Sequence, residues 1–509
     1  KPILRAKAIA FENAAGRDRE VLDELGNTVL YGHPDAQAIL TKIQVENDRL
    51  LILRNTVEGE RPAGFVSYRE IGNEDLFGVL KDMELANLVR GKSSREILLI
   101  TGIYAREDGT GDSGVIRDAP QQLLVEVLAK ELEKNYSFAL FVAERGTATK
   151  EVVYVLERQG FIRPHMADEN DKRTIYMVDM HEPLMFLHNL DTTIKEPFAS
   201  NPAVLDAVEK NHKKLQIAMT KLYPGNLVLS LSSGIMYHRL VDRITALNDV
   251  PREPLVPRRL GKNMCVPFGK ILRGKVVPNT VTKTLHTDKV YEPDLNSFTI
   301  EPFPYYSPLK SQIETIKSFD RPVILVDDLV HTANRLQVLV PQLREDGIPI
   351  KKVVVGVLSG YGRDLMQCLK VPVESIYSMP NLRQWFVEST LYPFIGGDTV
   401  RREEMKVAGL QPSINMILPY ATPRLSGCSR EALVEFSACC IENSRDLFQV
   451  LEAEYRKMYA KNLTLSRLSE AVILPLCPDK GSCMEYDENL AASVYLENDL
   501  ETLWRMKEF

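Results

Sequence analysis

The sequence is short of several things whose scarcity limits what it can be. Its seven cysteines, at 265, 368, 428, 439, 440, 477 and 483, include no CxxC pair and have no histidine pair nearby. Their spacing supports neither a disulfide framework nor a zinc site, and reduced thiols in a cytoplasmic protein are the expectation. No stretch approaches the roughly 20 consecutive apolar residues of a membrane span. The opening "KPILRAKAIAFENAAGRDRE" lacks the apolar core of a secretory signal, so no membrane association is expected. Positive charge is not in excess: the net charge is -6, which argues against a surface built for nucleic acid. No internal repeat is evident. What is present is ordinary globular material, 509 residues of which 44% are hydrophobic and 26% charged, enough for two to four domains with their own cores. Beginning at Lys1 without a methionine, the chain reads as a fragment or processed form of a longer protein.

Three regions follow from the patterning. Residues 1–182 alternate strand-like runs ("RLLILRN", "AGFVSYREI", "EILLITGIYA", "SFALFVAE", "TIYMVDM") with helices over Ala119–Asn135 and "KEVVYVLERQ", a mixed α/β arrangement. Asp118 and Gln121 are placed to cap the first of these helices around Pro120. Residues 183–225, punctuated by Pro183, Pro197, Pro202 and Pro224, read as a helical connector. Strand and helix alternate again over residues 226–408, which favours a doubly wound parallel sheet. Residues 409–509 read as mostly helical, with Ser429 capping a long helix whose Leu433, Phe436, Cys440, Leu447 and Val450 share a face.

The most informative stretch is "RPVILVDDLVHTANRL", residues 321–336. An apolar run of the kind found in strands buried on both faces meets Asp327 and Asp328, then a short polar loop, then Leu336, Leu339, Val340 and Leu343 at helical spacing. At the carboxyl end of a parallel strand such a loop borders the ligand crevice, and the next helix start offers N–H groups to a phosphate. Two carboxylates beside it can accept from a vicinal diol. An acidic pair at a strand end also occurs in doubly wound domains that hold a metal and no ribose. The stretch resembles the signature of type I phosphoribosyltransferases. That resemblance implies ribose contacts and a catalytic role for Asp327 and Asp328, and a 5-phosphate loop of His331, Thr332, Ala333, Asn334 and Arg335. The family has glycine where Ala333 stands and a small hydroxyl residue where Arg335 stands. Ser232, Ser233 and Gly234 occupy the place of its pyrophosphate loop. Arg258, Arg259, Lys262, Lys270, Arg273, Lys275 and Lys283 form a basic patch suited to a phosphorylated small molecule or nucleotide. With only Phe268 interleaved, RNA is not the expected partner. The resemblance further implies phosphoribosyl pyrophosphate as donor and Mg²⁺ as its companion, although no metal ligands are assigned, and Trp385 or Phe386 as a stacking surface for the acceptor.

The first region resembles the GNAT-type N-acetyltransferases, chiefly through "KEVVYVLERQGFIRP" with Gly160 and Phe161. Arg106, Gly109 and Gly111 fit the literal spacing of that family's acetyl-CoA loop, but "DSGVIR" separates them from the helix start that favours pyrophosphate. Where the family commonly has a proton-donating tyrosine stands Leu156, with Tyr154 on another side of the helix. The whole thus reads as α/β, a GNAT-like mixed sheet followed by a phosphoribosyltransferase-like parallel sheet and helices, able to form oligomers. Three functions fit: a phosphoribosyltransferase-like protein, a nucleotide-binding scaffold without turnover, or an acetyltransferase with a regulatory phosphate site.

Overall fold

The computed structural model describes residues 9–507 apart from 58, 93–95, 107–117, 145–148, 165–172, 258, 305, 403–406, 408, 424 and 481–485. By contacts the chain divides into two compact units. The first comprises Lys1–Met185 with Tyr223–Ser230 and Ser378–Gln384, the second Phe186–Leu222, Leu231–Tyr377 and Trp385–Phe509. No helix among the described residues is long and apolar enough to cross a membrane.

In the first unit the chain runs β1 (Ile9–Ala15), α1 (Arg19–Asn27), α2 (Ala36–Glu46), β2 (Arg49–Asn55), β3 (Arg61–Ile71), α3 (Leu76–Leu80), α4 (Met83–Lys92) and β4 (Ile97–Ala105). It continues through α5 (Ala119–Glu131), β5 (Phe138–Glu144), α6 (Lys150–Arg158) and β6 (Arg173–His188), whose last residues belong to the second unit. The sheet order follows the chain, β1 to β6, antiparallel except for one parallel pair, β4 and β5, which flank the α5 crossover. Two apolar cores form around this mixed sheet. Leu22, Leu25 and Ile43 of α1 and α2 bury Leu50, Ile52 and Phe65, while Leu76, Leu80, Leu85 and Val89 of α3 and α4 cover Ile97, Leu99, Phe138 and Leu140. Asp18 caps α1 by accepting from Val21 N–H (3.3 Å), and Thr149 caps α6 through Val152 N–H (3.2 Å). The expected cap at α5 forms differently. Asp118 holds the N-cap position without a side-chain cap bond, and its carboxylate turns to the buried Arg158 guanidinium, 3.4 Å away. For a carboxylate, an ion pair with a buried cation outweighs one bond from a neutral N–H donor.

β7 (Asn226–Ser232) adds to β6, a position the sequence did not reveal. Gly160 makes this possible. It sits at φ +88°, and a side chain there would place Cβ 2.1 Å from the Asn226 carbonyl oxygen. Gly160→Ala is therefore expected to destabilise the first unit by about 2 kcal/mol or more, read as a lower thermal unfolding midpoint.

The second unit holds α7 (Pro202–Leu222), α8 (Ser233–Leu247), β8 (Met264–Pro267), β9 (Val281–Thr282), β10 (Thr287–Tyr291), β11 (Phe298–Pro302), α9 (Leu309–Lys317), β12 (Val323–Val330), α10 (Asn334–Glu345), β13 (Ile350–Ser359), α11 (Gly360–Cys368) and β14 (Val373–Met379). After these come β15 (Gln384–Val387), α12 (Glu388–Leu391), β16 (Asp398–Val400), β17 (Gln411–Ile414), α13 (Arg430–Tyr459), β18 (Leu476–Pro478) and α14 (Ala492–Lys507). One sheet has the order β14-β13-β12-β8-β9, with β9, β8, β12 and β13 parallel. Every residue of β12 is buried, as its unbroken apolar run requires. Leu325, Leu336, Leu339, Val340, Leu343, Val353 and Val355 form part of the core beneath it.

A second sheet, β11-β10-β16-β17-β18, takes in two strands from the region expected to be mostly helical. β17 and β18 are short, four and three residues, and leave no periodic signal. Ser429 does cap α13, accepting from Ala432 N–H (3.1 Å). α13 packs on α7 through a reciprocal amide pair: Asn211 donates to the Asn443 carbonyl (2.8 Å) and Asn443 to the Asn211 carbonyl (3.0 Å), both fully buried.

Candidate functional site

The chain leaves β8 toward β9 on one side and β12 toward β13 on the other. The loops after β8 and β12 therefore part at the carboxyl edge of the sheet, the place where open α/β sheets form a crevice. Asp327 and Asp328 lie there, but not at the mouth of the loop. β12 continues two residues past them, pairing Leu329 with Val357 and Val330 with Leu358, so the two acids are buried within the strand.

A buried carboxylate needs donors, and the loop after β8 supplies them. Asp328 accepts from the backbone N–H groups of Lys270 (2.7 Å) and Ile271 (2.9 Å). Asp327 accepts from Asp328 N–H (2.8 Å), and the Arg335 guanidinium stands 3.9 Å away. Gly269 permits this approach, since a Cβ there would lie 2.5 Å from Asp328 Oδ1 and 2.6 Å from Asp327 Oδ1. Burial pushes the Asp327 carboxyl up to about 7, with the Asp328 charge adding to the rise and Arg335 and Arg273 opposing it. Burial likewise lowers Lys270 and Arg273, each also repelled by Arg335. Arg273 lies over the Phe303 ring at 5.1 Å. Its Nε and the neighbouring Thr287 Oγ1 are buried without hydrogen-bond partners among the described residues. Arg273, Arg335, Asp327 and Asp328 thus form one polar centre at the edge of the sheet, with Lys270 tied to it through its backbone N–H and its ammonium in the field of Asp398 and Asp288.

The remaining residues of the expected phosphate loop diverge from it. His331 turns its Nδ1 to Ser359 Oγ (2.8 Å), and burial lowers its pKa. Thr332 and Asn334 bond to each other (2.8 Å). Ala333 is the N-cap of α10 at φ +50°, the left-handed conformation that glycine adopts freely and that costs an alanine roughly 1 kcal/mol. Ser232, Ser233 and Gly234 start α8, with Ser232 Oγ accepting from Ile235 N–H (3.5 Å). Their strand, β7, is bonded to β6, and the strand beside β12 is β8. The loop that meets the acids is therefore Phe268–Lys275. The motif "PFGKILRGK" could have shown this, because it pairs a strand end with Gly269 and two cations.

The basic patch divides. Arg273 faces the acids, the Lys270 ammonium is in the field of Asp398 and Asp288, Lys275 lies over the Tyr237 ring at 4.5 Å in the field of Asp191 and Asp328, Arg259, Lys262 and Lys283 are exposed, and Arg258 lies outside the described residues. Phe386 is buried against Phe436, their centroids 5.8 Å apart, whereas Trp385 is 37% exposed.

In the first unit, β4 and β5 pair only across Leu98–Ile100 and Ala139–Phe141, although β4 runs on to Ala105 and β5 to Glu144. At this fork Thr101 Oγ1 meets the buried Asp48 carboxylate (2.6 Å) and Ser67 Oγ (2.7 Å), and Arg69 donates to Asp48 (2.8 Å). Sequence reading missed this group because its members are far apart in the chain. Leu156 is fully buried and Tyr154 is 41% exposed on α6. Arg106 follows β4, while Gly109 and Gly111 lie outside the described residues.

No protein-family description matches this sequence, and no curated protein matches it. Solved structures similar to it include the NatC complex bound to Gag peptide and CoA, at 11% identity and TM-score 0.22, covering 34% of this chain and 98% of that one. Others are the ribosomal-protein-S18-alanine N-acetyltransferase of Escherichia coli (8%, 0.23, 34% and 94%) and the PaiA N-acetyltransferase of Thermoplasma acidophilum in complex with coenzyme A (13%, 0.22, 34% and 98%). Independently of them, the first unit has the mixed α/β sheet expected from its sequence, with the parallel pair β4 and β5 around a crossover helix.

The raised Asp327 carboxyl has a consequence for stability. Above its ordinary value of 3.8 the unfolded chain has lost this proton, while the folded chain keeps it until about pH 7. Stability should therefore fall as pH rises across that window. Thermal unfolding at pH 5 and pH 8 should show this component in the wild type and its loss in Asp327→Asn.

Proposed function

We propose that the second unit binds a ribose phosphate of the phosphoribosyl pyrophosphate or nucleotide class at the crevice between the β8 and β12 loops. The observation that carries this reading is the meeting of Arg273 and Arg335 with the Asp327–Asp328 pair, with Arg273 Nε buried and unpartnered among the described residues. A phosphate oxygen would supply the missing acceptor. The first turn of α10, which has no side-chain cap, offers further N–H donors. Asp328 is already filled by two N–H groups, so Asp327 is the carboxylate left for ribose hydroxyls or for a Mg²⁺ carried in with the phosphates. Such an ion would neutralise charge on a leaving pyrophosphate.

Calorimetry on the full chain with phosphoribosyl pyrophosphate and Mg²⁺, and with ribose 5-phosphate, tests the reading. Binding is expected to weaken at least tenfold in Arg273→Met and in Asp327→Asn. Affinity indifferent to both changes would remove it, and pyrophosphate release with a panel of bases distinguishes turnover from binding.

The β4–β5 fork favours a second reading, an acyl-CoA site in the first unit. Strands that part after three paired residues present N–H and C=O groups to which an extended, amide-bearing ligand can add. Acetyl-CoA binding by the full chain, abolished when Gly109 and Gly111 are both changed to leucine, is the expected result. Binding that survives the double change would exclude the loop inferred from the sequence.

A further inference from the structure

Three side chains of the second unit meet at one point. His188 ends β6, His212 lies on α7, and Glu388 opens α12 with its carboxylate fully buried. His212 Nε2 is 2.7 Å from Glu388 Oε2, and His188 Nδ1 is 3.8 Å from the same oxygen. The two imidazoles face each other with centroids 4.3 Å apart, and one ligand atom from each of the three residues falls within a 4.8 Å triangle.

The surroundings hold these groups in place. Gln216, one helical turn beyond His212, sets its side-chain amide 3.1 Å from the far nitrogen of His188. Amide oxygen and nitrogen are interchangeable in assignment, so Gln216 can accept from His188 Nε2–H and leave the Nδ1 lone pair facing the carboxylate. Tyr392 donates to the other oxygen of Glu388 (3.3 Å), and Asn443 donates to the Tyr392 hydroxyl (3.0 Å). Asn189 grips the next residue through Ser389 N–H and Oγ, both at 2.9 Å.

A protonated His212 would by itself balance Glu388. It would not account for a second imidazole whose nitrogen stands beyond hydrogen-bond distance of the same oxygen and is held from behind by an amide. That spacing suits co-ligands. Donor atoms bonded at about 2.0–2.2 Å to a tetrahedral zinc ion lie roughly 3.4 Å from one another. The 3.8 Å separation closes by about 0.4 Å, and the 2.7 Å one opens by about 0.7 Å once a metal ion replaces the shared proton.

We propose that His188, His212 and Glu388 form a binding site for a divalent transition metal of the zinc class, with Gln216 orienting His188 from the second layer. Two imidazole nitrogens and one carboxylate oxygen favour zinc over magnesium or calcium. Three protein ligands leave a fourth position for water or a small ligand.

The test uses the full chain, stripped with a chelator, dialysed, and loaded with Zn²⁺ or Co²⁺. One equivalent of zinc per chain is expected to survive dialysis. Cobalt should give visible absorption of a low-coordinate site that zinc displaces, without the intense charge-transfer band of thiolate ligation. His188→Gln and His212→Gln should each weaken binding at least tenfold. Gln216→Ala, which removes no ligand, should weaken it about tenfold. Folding of each variant is checked by circular dichroism, and if the ligand variants fail to fold, X-ray absorption of the zinc-loaded wild type decides through its nitrogen and oxygen shell. No stoichiometric metal in the folded wild type, sulfur in the shell, or undiminished binding in the folded histidine variants would each overturn the proposal.

Discussion

The second unit depends on one interaction, the Asp328 carboxylate receiving the N–H groups of Lys270 and Ile271. It ties the loop after β8 to the middle of β12, across a pair of parallel strands that no hairpin could join. Burying a carboxylate in an apolar strand is costly unless its oxygens are satisfied, so loop and strand are obliged to meet. That meeting carries Lys270 and Arg273 under the sheet edge and fixes what the loop can contain. At Gly269 no side chain fits between the backbone and the two carboxylates.

Charge then organises the centre. Two arginines from two loops face two acids, and burial shifts Asp327, Arg273 and the neighbouring Lys270 toward their neutral forms. The result is a preformed array of half-buried charges in which Arg273 Nε has no acceptor among the described residues. The first unit differs: its polar feature is backbone at a fork between parallel strands, with side chains in a supporting part.

Legibility in the sequence followed the range of the forces involved. β2, β5, β12 and α13 could be read because their apolar spacing is local; the boundaries of β2, β5 and α13 agree closely with the runs "RLLILRN" and "SFALFVAE" and with the cap at Ser429, while β12 runs four residues past "VILV". The acidic pair was legible as a candidate for the same reason. Its true partner loop was not: Phe268–Lys275 and Ser232–Gly234 are both strand-to-loop transitions with small residues, and only pairing between distant strands separates them. The left-handed Ala333 was visible as a departure from glycine, but its backbone angle was not. Residues 409–509 read as helical because β17 and β18 are too short to alternate. A search for zinc by cysteine spacing passed over His188, His212 and Glu388, which come from three separated elements and share no motif.

The amide pair between α7 and α13 links this unit's two ends in a particular way. Each asparagine donates to the other's main-chain carbonyl, an oxygen that lies within a helix and that no side-chain substitution removes. Replacing either asparagine therefore deletes one bond between the helices and leaves the other in place. Asn443 carries more than its counterpart, because its amide also donates to the Tyr392 hydroxyl that bonds Glu388, so the packing of α13 on α7 and the setting of that carboxylate share one side chain.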